Sequence, residues 1–299
     1  MLGIEEAKLH ELIEAPEQYY RLKERKKKPD GSVRDIYKVK EPLKHILKKV
    51  NRVFFHRCQF PKYLTGSLPG WSYEQNAAIH IAQGTVITID ATNFFPSISQ
   101  EQVKEIWLNF FKFAEPVAEA LSKLCCYKGF LAQGSPPSSY LANLLFFDIE
   151  PLIVKELTSR GYKYSRYVDD ICISHRERLT DEKKSWAIKT AKKVFLSKGL
   201  KVKSRKTKVM DRNTRQEVNK RTVNGNRVCA SKKLKNDMRA SIHKLGRTVD
   251  LGETPAATHD RSIASAEGKL RHFRKFNRTA ADKLLAQLKQ IQQTKRKKN

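Results

Sequence analysis

Residues Tyr164-Ser165-Arg166-Tyr167-Val168-Asp169-Asp170-Ile171-Cys172-Ile173-Ser174 set two carboxylates side by side within aromatic and β-branched sequence. Such a stretch favours two short strands, with Val168-Asp169 at the turn between them. Adjacent aspartates repel each other, and neither enters a core without a partner. A solvated acidic turn would satisfy them. So would a divalent cation, because hard Mg²⁺ takes carboxylate oxygens and leaves positions open for phosphates.

A second acidic position separates these readings. Thr85-Val86-Ile87-Thr88-Ile89 has the character of a buried strand and closes on Asp90. A carboxylate at the C-terminal end of a central strand, beside a hairpin tip carrying two more, suits two-metal phosphoryl transfer, with the ions roughly 3.5–4 Å apart. Together with the run Gln133-Gly134-Ser135-Pro136, the Asp90 strand and the hairpin Tyr167-Val168-Asp169-Asp170 resemble the palm of reverse transcriptases. That resemblance implies an α+β right-hand polymerase of fingers, palm and thumb, with an antiparallel palm sheet backed by helices. It also implies RNA-templated DNA synthesis, with two Mg²⁺ ions at Asp90, Asp169 and Asp170 and deoxynucleoside triphosphates as substrates.

The net charge of +29 over 299 residues points to a polyanionic partner, nucleic acid ahead of an anionic membrane surface. Residues 201–299 hold 28 Lys and Arg against 8 Asp and Glu, so +20 of that charge lies in the last third. A catalytic body followed by a basic grip is the simplest interpretation. The expected divisions are 1–80 (N-terminal helix and fingers), 81–228 (palm with part of the fingers) and 229–299 (basic helical thumb and tail). Five cysteines without CxxC spacing indicate neither a zinc site nor a disulfide framework, and suit a reducing cytoplasm. Glu5, Glu6 and Glu11 interrupt any signal-peptide pattern, and no apolar run of about 18 residues offers a membrane span.

Along the chain, residues 1–22 predict a short amphipathic helix carrying Leu9, Leu12 and Ile13. Lys23 to Val39 reads as a basic hairpin about Pro29-Asp30-Gly31-Ser32, where Asp-Gly supplies positive φ. In reverse transcriptases such a hairpin forms the fingers and a basic residue on it grips the nucleotide triphosphate. Lys28 and Arg34 are the candidates here, with Lys26 and Lys27 as alternatives and a solvated basic hairpin as the plainer reading. Pro42 to Phe55 carries a helical period, and 56–75 a loop. Asn76-Ala77-Ala78-Ile79-His80, by itself part of a helix, is similar to an Asn-Ala-x-x-His element of retron reverse transcriptases.

By the same resemblance, Phe95 packs under the nucleotide sugar and excludes a 2′-hydroxyl, while Phe94 packs in the palm. Gln102 to Tyr127 predicts two helices broken near Pro116. Gly134 permits close backbone approach to a ligand, and Pro136 or Pro137 can open a helix over Ser138 to Leu157 with Leu141, Leu144, Leu145, Ile149 and Leu152 inward. The resemblance sets Gln133 and Gly134 against nucleotide and template. A further helix holds Trp186 to Phe195 and ends at Gly199. Lys206, after the strand Leu200-Lys201-Val202, matches a lysine that protonates leaving pyrophosphate, or is one more phosphate-facing lysine. Val209 to Val228 predicts a hairpin turning at Asn224-Gly225. Ser231 can cap a helix bearing Leu234, Met238, Ile242 and Leu245 on one face, and helices follow over 262–276 and 279–292. Lys295-Arg296-Lys297-Lys298 reads as a flexible basic tail.

The Asn76–His80 element and the run Leu124-Cys125-Cys126-Tyr127-Lys128 resemble bacterial retron reverse transcriptases. This implies a structured noncoding RNA as template and primer source, an RNA-linked single-stranded DNA product, and anti-phage defence alongside an effector protein. The family's Val-Thr-Gly element is here Val218-Asn219-Lys220. That departure keeps open an abortive-infection or diversity-generating reverse transcriptase; a catalytically idle RNA-binding scaffold is the alternative outside the enzymes. Replacing the Lys and Arg residues of the last third in groups is expected to lower RNA affinity and flatten its salt dependence. Filter binding from low to high salt checks this, and an unchanged slope contradicts it.

Overall fold

The structure is a computed structural model that describes residues 3–27, 31, 33–202, 205, 207–251 and 256–298. Helix α1 (Glu6–Glu14) buries Leu12, and the chain then enters a two-stranded antiparallel hairpin, β1 (Tyr20–Lys27) and β2 (Val33–Val39). Most of β1 is exposed, because its residues are charged; Tyr20 and Val39, with Tyr37 half-buried beside them, anchor the hairpin to the core. Arg25 and Asp35 face each other across it, with Arg25 donating to both carboxylate oxygens at 2.8 and 2.9 Å. Helix α2 (Leu43–Val53) buries Leu43, Ile46, Leu47 and Val50, the i, i+3, i+4, i+7 stripe of its sequence. Ser72 caps α3 (Tyr73–Ile79).

Strand β3 (Thr85–Asp90) is followed by α4 (Gln100–Glu105), which begins with a reciprocal Ser99–Gln102 capping box and relaxes into a π turn over Ile106–Phe110. Helix α5 (Glu115–Cys125) takes Pro116 into its first turn, where no N–H is needed. Pro116 therefore starts a helix, and the break lies ahead of it. The single helix expected over Ser138 to Leu157 is two, α6 (Ser138–Leu144) and α7 (Glu150–Thr158). Pro151 has no N–H for the carbonyl four residues earlier, so the helix restarts there. The restart turns Leu152 outward to 62% exposure and brings Glu150 inside.

Strands β4 (Lys163–Tyr167) and β5 (Asp170–His175), helix α8 (Asp181–Leu196) and strand β6 (Lys208–Asp211) complete the central body. The sheet is four-stranded and antiparallel, in the order β4-β5-β3-β6. Ile87 pairs with Ile173 and Ile89 with Ile171, and all four join the core formed with α6, α7 and α8. Val86 and Cys172 alternate to the other face, where they meet Met210, Val218 and Val223. A second small antiparallel sheet, β7 (Glu217–Val218), β8 (Arg221–Thr222) and β9 (Cys229–Ala230), follows. Its tight turn is Asn219-Lys220, both at positive φ, as two-residue hairpins favour. Asn224-Gly225, the expected turn, lies in the longer β8–β9 connection. There Asn224 is held by the carbonyls of Arg212 and Thr214.

Helices α9 (Lys232–Leu251), α10 (Ala256–Arg274) and α11 (Arg278–Lys298) enclose a separate core of Ile242, Ile263, Leu270, Phe273, Leu284 and Leu288. Ser231 caps α9 by accepting from Leu234 N–H, and Asn277 caps α11 in the same way. Helix α11 continues through the basic run expected as a tail. This bundle meets the central body where the Arg221 guanidinium lies between the rings of Tyr73 and Phe276, 4.7 and 4.5 Å from their centroids.

His80, at the end of α3, is fully buried beneath the hairpin. Its two ring nitrogens bond Ser174 Oγ at 2.7 Å and Ser165 Oγ at 2.8 Å, one on each strand. Burial, aided by Lys163, pushes its pKa from 6.5 down to about 3. The unfolded chain takes up a proton that the folded chain refuses. Stability from His80 is therefore complete above about pH 6.5 and falls as pH drops toward 3, by about 1.4 kcal/mol per unit. The fall in denaturation midpoint from pH 7 to pH 5 should be smaller in His80→Asn than in the wild type; equal falls would show that His80 carries none of it.

Candidate active site

The β4–β5 hairpin turns on Val168-Asp169, as its sequence predicts. Val168 adopts φ 60°, a conformation that costs energy for a β-branched side chain. Beneath it lies a buried polar network. The Arg166 guanidinium is fully buried and meets Glu150 at both oxygens, Nε to Oε1 and Nη2 to Oε2, each at 2.7 Å. Burial opposes its charge, but the Glu150 carboxylate outweighs that and raises the pKa of Arg166. Tyr164 Oη donates to Glu150 Oε1 at 2.6 Å. The remaining donors of Arg166 reach Asn143 O at 2.9 Å and Val168 O at 3.0 Å, so the pair anchors the turn itself. Asn143 in turn donates to Gly66 O at 2.8 Å.

Asp90 pairs in register with Asp170, the last pair of the β3–β5 ladder. Residues opposite each other on antiparallel strands point to the same side, and these two continue the side of Val86 and Cys172. The Ala91 N–H donates to Asp169 O at 3.2 Å, which ties the turn to the end of β3. Topology thus brings the three aspartates to one edge of the sheet. Among the described residues, no three His, Cys, Asp or Glu side chains are arranged to close around a single ion.

Two clefts open at this edge. The first, of about 860 Å³, is lined by Asp90, Asp169, Phe95, Gln133, Gly134 and Arg34, among others. Of the expected site residues with described positions, only Asp170 lies outside it. The second, of about 660 Å³, is bounded by Asp90, Asp169, Asp170 and Arg34 together with Lys208, Asn219 and Lys220. Arg34, Asp90 and Asp169 line both. Lys28 and Lys206 lie outside the described residues.

The loop that carries Gln133 is docked on the β1–β2 hairpin, since Tyr37 N–H donates to Gln133 O at 2.8 Å. Gly134 has φ 104°, and a Cβ there would meet Tyr37 O at 2.3 Å. Its close backbone approach is therefore to β2. Phe94 is buried and Phe95 half-buried at the cleft wall, their rings edge to face. Asn76 ties the neighbouring segments together, accepting from Thr65 Oγ1 at 2.7 Å and donating to Asn219 Oδ1. The Asn-Ala-x-x-His element thus braces the site through both of its polar ends.

A family profile described as reverse transcriptase (RNA-dependent DNA polymerase) matches residues 26–246. The chain belongs to the reverse transcriptase family. It is 39% identical over 189 residues to the retron Se72 reverse transcriptase of Salmonella heidelberg, covering 63% of this chain and 50% of that protein. To the retron Ec48 reverse transcriptase of Escherichia coli it is 29% identical over 261 residues, 82% of this chain and 62% of that one. To the retron Ec86 reverse transcriptase, also of Escherichia coli, it is 28% identical over 220 residues, 74% and 68%. The chain thus spans about half of the first of these relatives and about two-thirds of the other two. All three are retron enzymes, in agreement with the likeness carried by Asn76–His80 and Leu124–Lys128.

Glu150, Arg166, Asn143 and Gly66 do not stand out in the sequence as parts of the site. Arg166 shares β4 with Lys163 and Ser165, and Glu150 shares α7 with Lys155 and Glu156, so neither charge is marked out by an apolar setting. Replacing Arg166 alone by Met strands a buried carboxylate and is expected to cost about 3–5 kcal/mol. Denaturant unfolding measures it; a loss under 1 kcal/mol would mean that Glu150 finds water or another partner.

Proposed function

We propose that this reverse transcriptase is the RNA-directed DNA polymerase of a retron, copying a cognate structured noncoding RNA into RNA-linked single-stranded DNA. The observation that carries the chemistry is the register that sets Asp90 against Asp170 with Asp169 at the adjoining turn, on a cleft walled by Arg34, Phe95 and Gln133. A primer hydroxyl oxygen attacks the α-phosphorus of a deoxynucleoside triphosphate, the new ester bond forms, and the bond to pyrophosphate breaks.

Oxygen donors beside open space suit Mg²⁺, and Asp90 and Asp169, which line both clefts, would hold the two ions, with Asp170 completing or orienting the set. Bound there, Mg²⁺ supplies charge neutralisation for the attacking and leaving oxygens. Arg34, on β2, reaches the same cleft and would bind the triphosphate, with Lys28 as the other candidate for that role. Phe95 would pack under the sugar and exclude a 2′-hydroxyl, Gln133 and Gly134 would bound the nucleotide and template, and Lys206 would give a proton to pyrophosphate. Catalysis on this reading rests on positioning and electrostatics.

The separate core of α9–α11 supports a thumb over 229–299, gripping the template–primer duplex. Residues 1–80 as N-terminal helix and fingers, and 81–228 as palm with part of the fingers, would share the larger core. Similarity to retron enzymes supports a role in anti-phage defence with an effector protein, in the cytoplasm. Among the described residues no helix is long and apolar enough to cross a membrane.

Expression with native flanking DNA, followed by nuclease mapping of copurifying nucleic acid, tests the proposal. A discrete DNA joined to RNA is expected, absent from an Asp169→Asn, Asp170→Asn variant that still folds. Generic primer extension without that species would assign the chain to another bacterial reverse-transcriptase system, and no Mg²⁺-dependent synthesis at all would favour an idle scaffold. In single-nucleotide extension, Phe95→Val should raise ribonucleotide use relative to deoxynucleotide by at least about tenfold, equivalent to about 1.4 kcal/mol of discrimination; an unchanged ratio removes Phe95 from that role.

A further inference from the structure

The turn that carries Asp169 is held at two successive carbonyls. Arg166 Nη1 donates to Val168 O at 3.0 Å, and Ala91 N–H donates to Asp169 O at 3.2 Å. On its outer side the backbone of Gly66 lies so close that a Cβ there would sit 2.3 Å from Val168 N and 2.7 Å from Tyr167 C. The segment leading to Gly66 is itself tied to β4: Arg166 N–H donates to Tyr63 O at 2.8 Å, and Thr65 N–H donates to Arg166 O at 3.0 Å. The peptide planes on both sides of Asp169 are therefore fixed by contacts that do not involve its carboxylate. They hold Val168 at a positive φ that its side chain disfavours.

We infer that Arg166 and Gly66 are positioning residues for the Asp169 carboxylate, Arg166 acting through the Val168 carbonyl and Gly66 by excluding any side chain at the outer wall of the turn. The inference rests on the metal-binding role proposed for Asp169. A buried pair such as Arg166–Glu150 is a poor device for stability alone, because apolar residues of similar volume often replace one without loss. Its distinguishing contribution is directional. The rigid guanidinium fork engages both Glu150 oxygens and still presents a donor to the turn; a lysine's donors radiate from one point and cannot match that fork. Glu150 orients the fork, and Asn143 links it to Gly66. Both sides of the turn thus belong to one bonded unit.

The decisive variant is Glu150→Leu with Arg166→Met, which exchanges the pair for apolar volume and removes the donor to Val168 O. Three quantities are read on the full chain: thermal midpoint, Mn²⁺ affinity of the nucleic-acid-free protein by electron paramagnetic resonance, and kcat against KM in primer extension. Expected are a midpoint near that of the wild type, Mn²⁺ binding weakened at least tenfold, and kcat lowered at least tenfold with little change in template affinity. Wild-type Mn²⁺ affinity and kcat in a folded double variant would overturn the inference. Should that variant not fold, Gly66→Ala, which leaves the ion pair in place and displaces the turn from outside, reads the same quantities with the same two outcomes. Metal affinity separates this inference from the proposed function. A wild type that makes no DNA but loses Mn²⁺ in the variant keeps the positioning role, whereas an active wild type with an unaffected variant discards it.

Discussion

The Arg166–Glu150 pair is the interaction on which the rest of the site depends. Two full charges lie inside the protein, and each is tolerable only because the other, with Tyr164, Asn143 and the Val168 carbonyl, completes its bonding. To bring Glu150 there, the helix expected across Ser138 to Leu157 has to stop and restart at Pro151. To bring Arg166 there, β4 must turn it away from solvent on the edge of the sheet. The cost of burying the pair and of the positive φ at Val168 falls on the body of the protein, and what it holds in place is the aspartate turn at the cleft.

Around that centre the fold divides its tasks by face. The apolar residues of β3 and β5 that meet α6–α8 alternate with residues on the opposite side, and the cross-strand pair Asp90–Asp170 closes that second row. Strong inward packing fixes the register, since a one-residue slip would drive every isoleucine to the wrong face. The same constraint fixes where the carboxylates meet. His80 joins the two hairpin strands from below through a serine on each, and Asn76 links the Thr65 segment to the Asn219 turn. The short α3 helix thus acts as a brace between the sheet, the loop beside the aspartate turn and the small β7–β9 sheet.

Much of this was legible beforehand. The Val168-Asp169 turn, the Asp90 strand, the basic β1–β2 hairpin, Gly199 as a helix stop and the Ser231 cap all follow from local rules: period-two burial, turn chemistry and capping. Gly134 was legible as a place of close approach, but the expected neighbour was a ligand and the atom approached is the Tyr37 carbonyl of β2. The departures have local causes too. Pro151 sits inside a convincing apolar period that hides the break, and Asn224-Gly225 is the stronger turn signal although the shorter strands close at Asn219-Lys220.

By itself the sequence determined which residue types were available for phosphate chemistry, their order, and the strands and helices that carry them, because these depend on neighbours along the chain. Only the tertiary structure decided that Asp90 faces Asp170, that one cleft gathers Arg34, Phe95 and Gln133 from separate segments, and that Arg166 reaches the Val168 carbonyl. The reason is physical. A strand shows its period in its own residues, but the partner of a buried charge, and the backbone that a missing Cβ admits, are chosen by segments distant along the chain.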